Sequence, residues 1–344
     1  MLVNQHLFTF FRNLPGILLN NLAGIYRMEK RKLGKSELLV SPLMFGGNVF
    51  GWTINEPESF KILDSFADGG VNFIDTADIY SRWVPGNHGG ESETIIGNWM
   101  KKNGKRNEVL IATKLGGDVG KGKKDLSAGY VKQAAEASLK RLQTDHIDLY
   151  QTHYDDVDTP VEETMTALNL LIKEGKVRYI GASNLSAARI KASNDFAGKN
   201  NLQPYISLQP LYNLYDRQKF EHEYLKLVTD EGLAVLPYYA LASGFLSGKY
   251  RVKEDLQKSP RGEGIGKKYF NERGNTILKA MDKVAAGQKV PLSEVAIAWL
   301  LQKPFVTSAI VSATNQKQLN ELINATNLKL NDQQMEELDE SGFY

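Results

Sequence analysis

An acid, a phenol, an amine and an imidazole stand at or just past the ends of three apolar runs in this chain. Phe73-Ile74 leads into Asp75 and on through Thr76-Ala77-Asp78-Ile79 to Tyr80. Val109-Leu110-Ile111-Ala112-Thr113 ends on Lys114, and Ile147-Asp148-Leu149-Tyr150-Gln151-Thr152 ends on His153. Brought together, these four side chains can do acid–base chemistry on a carbonyl. A phenol with a pKa near 10 is a poor acid at neutral pH. A neighbouring ammonium lowers that pKa, and a carboxylate keeps the ammonium charged and in place. Tyr80 is therefore the expected proton donor to a carbonyl oxygen, Lys114 and Asp75 its tuners, and His153 the group that polarises the same oxygen. Taken singly, each has an ordinary reading: Asp75 as a cap, Lys114 as a solvated strand end, His153 as a satisfied core-edge histidine, Tyr80 as packing. All four together at strand ends make a candidate site. Asp78 has no partner in this scheme and Asp148 opens its run rather than ending it, so both are expected to be structural.

The elements that must position these residues alternate along the chain. Strand-like runs fall at 43–47, 72–77, 109–114, 147–152, 178–183, 206–210, 234–239 and 308–311. Between them, Ser59–Ala67, Glu91–Lys101, Tyr130–Leu142, Val161–Lys173, Ser186–Asn194, Gln218–Thr229 and Asn315–Ala325 repeat apolar residues at helical spacing. Ser127 is placed to cap one helix, Thr159-Pro160 with Glu162 and Glu163 opens another, and Gly175 closes it. Alternation of this kind predicts parallel strands with crossover helices. Eight such units give an α/β fold, a (β/α)₈ TIM barrel, whose active site lies at the C-terminal ends of the strands. Lys32–Ser41 is expected to form a hairpin through Gly34-Lys35 ahead of the first unit. Two segments break the rhythm: 243–274, a long loop rich in Gly, Lys and Arg, and Leu278–Gln302, additional helix before the last strand. A charged helical stretch, Gln333–Glu340, lies near the end.

Composition excludes several classes. A net charge of +2 over 344 residues, with no basic stripe, argues against a nucleic-acid partner. The absence of cysteine rules out disulfides, iron–sulfur clusters, thiolate zinc sites and a cysteine nucleophile, and fits a cytoplasmic location. His6, His146 and His222 show no metal-ligand spacing, so no metal is expected. No G-x-G-x-x-G follows a strand. Residues 1–27 carry apolar runs, Leu7–Phe11 and Ile17–Leu19, too short and interrupted to span a bilayer, and no positive charge precedes them. Met28 reads as a natural start. Residues 1–27 are expected to be a disordered extension or an early start, and 28–344 a single barrel domain.

The Asp75–Tyr80 block, the Thr113-Lys114 strand end and Asp148-Leu149-Tyr150 leading to His153 resemble the aldo-keto reductases, and the likeness runs from about Arg31 to about Ala325. The resemblance implies that Asp75, Tyr80, Lys114 and His153 are a catalytic tetrad beside a nicotinamide dinucleotide laid across the barrel mouth. It implies that Ser183, Asn184 and Gln209 hold the nicotinamide carboxamide and that Tyr238 stacks on its ring. Tyr239, Ala240, Leu241, Ala242 and Gly244 match the pyrophosphate loop by backbone, although the family usually has Ser-Pro where Tyr239-Ala240 stand. Lys249 and Arg261 supply positive charge. Gly47 and Asn48, after Gly46, match the first-strand end. Ser312, Thr314, Gln318 and Glu321 match the last strand–helix junction at the adenosine end, where Val311, Ser312 and Leu322 replace the usual Pro-Gly and Asn. NADP(H) is the family default. With no arginine in that turn, Lys317 or Arg261 is left for a 2′-phosphate, and NAD(H) stays open. Trp52, Phe50, Trp83 and Tyr154, with Tyr80 and His153, are the expected walls of a pocket for a small-molecule carbonyl or sugar. His88 is expected to be solvated.

Two other readings compete. The potassium-channel β subunits share this family, and a regulatory cofactor-binding subunit with incidental catalysis keeps the same tetrad. An aldolase or isomerase with Lys114 as a Schiff-base amine needs a depressed lysine pKa, and Asp75 nearby acts against that. The oligomeric state is left open.

Overall fold

The computed structural model describes residues 28–120 and 122–343; the expectation for 1–27 falls outside them. Ten strands are described: β1 (Arg31–Lys32), β2 (Leu39–Val40), β3 (Leu43–Gly46), β4 (Phe73–Asp75), β5 (Leu110–Leu115), β6 (Ile147–Thr152), β7 (Val177–Ser183), β8 (Ser207–Gln209), β9 (Ala234–Val235) and β10 (Ala309–Val311). The last eight pair in parallel in the order β10-β3-β4-β5-β6-β7-β8-β9. The two ends of that order meet: Thr307 N–H donates to Val235 O and Ile310 N–H to Pro237 O, each at 2.9 Å. The ring is the expected (β/α)₈ barrel. Its strands are short and buried on both faces, which is why they read as continuous apolar runs rather than alternating ones.

Met44, Phe73, Ala112, Leu149, Ile206, Leu236 and Ile310 fill the barrel interior. Below them, β1 and β2 pair antiparallel as Arg31↔Val40 and Lys32↔Leu39. Their hairpin inserts Leu33, Leu38 and Val40 into the same core and so floors the barrel. Gly34 turns this hairpin at φ +54, and a Cβ there would lie 2.4 Å from Ile206 O. A larger apolar cluster, with Trp99, Trp299 and Tyr212 among its fully buried side chains, joins the outer face of the ring to the helices.

Helices lie close to their expected positions: Glu56–Asp68, Glu91–Asn103, Ala128–Leu142, Val161–Lys173, Ala187–Lys199, Gln316–Ala325 and Asp332–Ser341. Ser127 caps its helix, accepting from Tyr130 N–H. Two segments differ from expectation. Gln218–Thr229 starts with a π turn, Phe220–Tyr224, before Leu225–Glu231; the wider turn buries both aromatic rings. Residues 278–302 are helical, as expected: the end of Glu272–Gln288 and then Leu292–Gln302, separated at Lys289 (φ +57) and Pro291. The long loop is built rather than bare. It holds two 3₁₀ turns, Ala242–Ser247 and Lys253–Lys258, and a helix, Gly262–Tyr269. Phe245 stacks on Tyr269 with ring centroids 5.4 Å apart, Tyr250 OH lies 2.8 Å from Ser259 Oγ, and Arg251 forks onto Asp282 at 2.7 and 2.8 Å. These aromatic anchors outweigh the Gly/Lys composition.

Candidate active site

The C-terminal strand ends bring the four expected residues together. Asp75 closes β4, Lys114 lies near the end of β5, and His153 follows β6. Lys114 is fully buried, and its Nζ donates to Asp75 Oδ2 at 2.8 Å, Thr76 O at 2.7 Å and Tyr80 OH at 2.8 Å. Three donated bonds need all three hydrogens of an ammonium. Tyr80 OH also donates to Asp75 Oδ2 at 3.1 Å, so a single carboxylate oxygen serves both lysine and phenol. The Tyr80 and His153 rings meet edge to face at 6.0 Å.

The electrostatics differ from expectation in direction. Burial, reinforced by the Asp75 carboxylate, holds the Tyr80 phenol well above its ordinary range rather than below it. The positive charge of Lys114 is already matched by Asp75, so little is left to favour the phenolate. Burial also pulls Lys114 below its ordinary value despite Asp75. The same burial, with Lys114 nearby, pushes His153 well down, so its imidazole is neutral at physiological pH. The arrangement can therefore present a protonated phenol, a fixed ammonium and a neutral imidazole to a carbonyl oxygen. As for a Schiff base, an ammonium with every hydrogen donated has no lone pair to attack with.

The residues expected around a nicotinamide form one hydrogen-bonded chain across the ends of β6 to β9. Asn184 Nδ2 donates to His153 O at 2.9 Å and to Ser183 Oγ at 3.0 Å. Ser183 Oγ donates to Gln209 O at 2.8 Å, and Tyr238 OH to Asn184 Oδ1 at 2.9 Å. Gln209 Nε2 donates to Asp75 Oδ1 at 2.9 Å and so ties this chain to the tetrad. Across the mouth, Ser312 Oγ donates to Gly46 O at 2.7 Å. A hydroxyl has one hydrogen, so Ser312 accepts from the Asn48 amide at 2.9 Å. That turns the Asn48 oxygen towards Arg261 Nη2 at 3.2 Å. Arg261 also lies over the Trp52 ring at 4.9 Å. The segment after β9 thus spans the mouth to the end of β3. Gly47 sits where a Cβ would meet Ser92 Oγ at 2.8 Å and Asp75 O at 3.0 Å.

The remaining expected contacts are dispersed. Lys249 is exposed, 5.0 Å from the Tyr250 ring and folded against Gly244. Ala240 and Ala242 are buried, Leu241 is partly buried, and Tyr239 is half exposed. Thr314 N–H and hydroxyl both donate to Gln318 Oε1, at 2.9 and 3.1 Å. Glu321 turns away from the turn and accepts from Ser293 Oγ at 2.6 Å. Trp52 and Trp83 meet edge to face at 5.5 Å, Trp83 lies 6.2 Å from the Tyr80 ring, and Tyr154 stacks on His153 at 4.4 Å. Phe50 does not join this wall. It is fully buried and stacks on Phe45, because the turn after β3 points its ring into the core. His88 is exposed, as expected. Two contributors carried no expectation: the Thr76 carbonyl that holds Lys114, and Gln151, whose Oε1 lies 3.4 Å from Gln209 Nε2.

A dinucleotide fits this rim. Asn184, Tyr239, Ala242 and Ser243 are non-glycine residues at positive φ, a costly conformation that collects at ligand sites. Gln151 Nε2 and His153 Nδ1 are buried polar atoms without partners beside the same chain of amides. Hydroxyl and amide groups suit a carboxamide, and Arg261 and Lys249 suit phosphate. Among the described residues no cluster could hold a metal ion, and no helix is long and apolar enough to cross a membrane.

The model of the aldo/keto reductase family matches residues 42–342. A probable voltage-gated potassium channel subunit beta of Arabidopsis thaliana is 35% identical, covering 88% of this chain and 92% of its own. Aldo-keto reductase AMT2 of Alternaria alternata is 33% identical, with 91% of each chain covered. Aryl-alcohol dehydrogenase GME11368 of Pestalotiopsis microspora is 32% identical, covering 91% of this chain and 83% of its own.

Proposed function

This chain belongs to the aldo/keto reductase family, and on that premise we propose that it is an NADP(H)-dependent oxidoreductase that reduces aldehydes or ketones, or oxidises the matching alcohols or sugars, with Tyr80 as general acid and base. The observation that carries this reading is the buried Lys114 Nζ, 2.8 Å from both Asp75 Oδ2 and Tyr80 OH.

The nicotinamide, when bound, supplies the hydride for the carbonyl carbon. Tyr80 gives its proton to the carbonyl oxygen. The phenolate left behind lies 2.8 Å from Lys114 Nζ, so the charge that develops on it meets a cation already in place. Asp75 fixes that cation. The neutral imidazole of His153 donates a hydrogen bond to the same carbonyl oxygen and orients it. Ser183, Asn184 and Gln209 bind the carboxamide, and Arg261 with Lys249 binds phosphate. Trp52, Trp83 and Tyr154 shield the reacting carbonyl from water and favour aromatic or sugar-like substrates. Reversal of the proton transfer oxidises an alcohol.

The test is a fluorescence titration with NADPH and, separately, NADH, followed by an aldehyde, ketone and sugar panel read by loss of nicotinamide absorbance. Quenching at lower NADPH than NADH concentration and turnover of at least one carbonyl are expected. Tyr80→Phe keeps cofactor binding and loses about 10²–10⁴ in turnover. Failure to bind either nucleotide, or near-wild-type turnover by Tyr80→Phe, overturns the reading. A second reading is favoured by the relatives named as channel β subunits, in Arabidopsis and, at 36% identity, in Oryza sativa: a cofactor-binding regulatory subunit. Tight NADPH binding without turnover across the panel is its signature.

A further inference from the structure

Behind the tetrad lies a second layer of buried charge that the proposed chemistry leaves unused. Asp78 follows β4, and its N–H donates to Lys114 O at 3.1 Å, which fastens its backbone to the strand end that carries the lysine. Its side chain is buried. Oδ2 accepts from Tyr130 OH at a long 3.3 Å, and Oδ1 has no hydrogen-bond partner. Tyr150 OH, from β6, is fully buried and likewise unpartnered.

The charges facing Asp78 come from every element around it. Lys114 stands on β5. Glu93, on Glu91–Asn103, accepts from Thr113 Oγ1 and from Arg141 Nε, each at 2.6 Å. Arg141 and Tyr130 stand on Ala128–Leu142, and Asp125 lies just before that helix. Lys114 in turn holds Asp75 and Tyr80, and the Asp78 charge acts on Lys114. The count is uneven. Lys114 is paired with Asp75, and Arg141 with Glu93. Asp125 is only partly buried, which leaves Asp78 as the third buried carboxyl of the layer, with no cation of its own. Burial, and then Glu93, raise its pKa to about 7, against the smaller opposing pull of Arg141 and of the Tyr130 hydrogen bond. His153 is pushed well down and does not compete in that range.

We infer that Asp78 is a positioning residue for the tetrad: a buried carboxyl that gains and loses a proton behind Lys114 and so sets the pH dependence of proton donation by Tyr80. This rests on the reductase reading. With Asp78 protonated, the two cations and two carboxylates of the layer balance. With Asp78 ionised, the excess negative charge tightens the hold of Tyr80 on its proton and slows donation. A unit charge that acts on Tyr80 through Lys114, screened as in a protein interior, changes such a rate by on the order of tenfold.

The experiment measures kcat for a neutral aromatic aldehyde at saturating NADPH from about pH 5.5 to 9, on wild type, Asp78→Asn and Tyr130→Phe. Wild type is expected to fall on the order of tenfold with an inflection near pH 7. Asp78→Asn, a neutral isostere of the protonated acid, is expected to stay at the upper level through that range. Tyr130→Phe removes the bond to Oδ2 and moves the inflection to higher pH, which keeps the test open if Asp78→Asn does not fold. Thermal unfolding gives a readout apart from turnover. A carboxyl whose folded pKa is raised lends stability that is present below the unfolded value and lost as pH rises through the folded one. The melting temperature of Asp78→Asn minus that of wild type should therefore grow between about pH 4 and 7 and level off above. An active wild type whose profile is shared by the variants, or a melting difference independent of pH, overturns this inference alone. A wild type without turnover at any pH overturns it together with the reductase reading.

Discussion

Lys114→Met tests whether the tetrad is held by charge or only by packing. Methionine fills nearly the same volume, so no cavity opens. The substitution removes the three bonds to Asp75 Oδ2, Thr76 O and Tyr80 OH. Asp75, 1% exposed, keeps only Tyr80 OH on one oxygen and Gln209 Nε2 on the other. Stranding one member of a buried ion pair costs about 3–5 kcal/mol. With an unfolding entropy of about 2.1 cal/mol/K per residue, a chain of this size loses about 4–7 °C in melting temperature. Asp75→Asn combined with Lys114→Met removes both charges and should restore most of that loss, while turnover stays down by at least about 10²-fold in both variants. Calorimetry at pH 7 on the two single variants and the double variant closes the cycle. A Lys114→Met protein as stable as wild type, or a double variant no more stable than Lys114→Met, would refute the claim that Asp75 is charged and depends on Lys114.

Arg261→Ala removes the guanidinium that lies over Trp52 and donates to Asn48. NADPH affinity should fall at least about tenfold, the worth of a charge-assisted hydrogen bond, and NADH affinity much less. Equal losses for the two nucleotides in the fluorescence titration would place Arg261 away from the 2′-phosphate. Gly97→Ala places a Cβ 2.3 Å from Arg141 O, where Glu91–Asn103 crosses Ala128–Leu142. Backbone must move to admit it, so a stability loss of about 1–3 kcal/mol is expected in urea unfolding. A variant with the wild-type midpoint would mean that the two helices do not approach this closely.

The strands were legible because both faces of each are buried, so each reads as an unbroken apolar run that ends where polarity begins. The tetrad was legible for the same reason: Asp75, Lys114 and His153 interrupt apolarity at the place where a barrel opens to solvent. The sign of the Tyr80 shift was not legible. It depends on how much charge Asp75 leaves on Lys114 and on how deep the hydroxyl lies, and neither is a property of spacing. Phe50 was expected in the pocket as an aromatic of the loop after the first barrel strand, yet the turn after β3 stacks its ring on Phe45 while Trp52 meets Trp83. The order in 243–274 was hidden by Gly and Lys, although Phe245, Tyr250 and Tyr269 were the signal that could have shown it. Asp78 looked partnerless because its neighbours, Glu93, Tyr130 and Arg141, come from two later helices.

The Lys114–Asp75 pair and the rim differ in how completely they are hydrogen-bonded, and of the tetrad only His153, through Nδ1, keeps a buried polar atom without a partner. On the tetrad side every hydrogen of Lys114 Nζ is donated and both Asp75 oxygens are used. Those groups have nowhere else to go, so on the proposed function the proton donor and the cation that stabilises its conjugate base are fixed before any carbonyl arrives, and no reorganisation is needed when charge develops. On the rim side lie the strained residues Asn184, Tyr239, Ala242 and Ser243 and the unpartnered Gln151 Nε2. Strain and unmet hydrogen-bonding capacity are what binding can relieve, so the proposed function assigns dinucleotide affinity to this rim and proton chemistry to the other side. Gln209 stands between them, with its amide on Asp75 and its carbonyl on Ser183. On the proposed function, a ligand that rearranges Gln209 is expected to change the field at Asp75 and so to couple occupancy of the rim to the acidity of Tyr80.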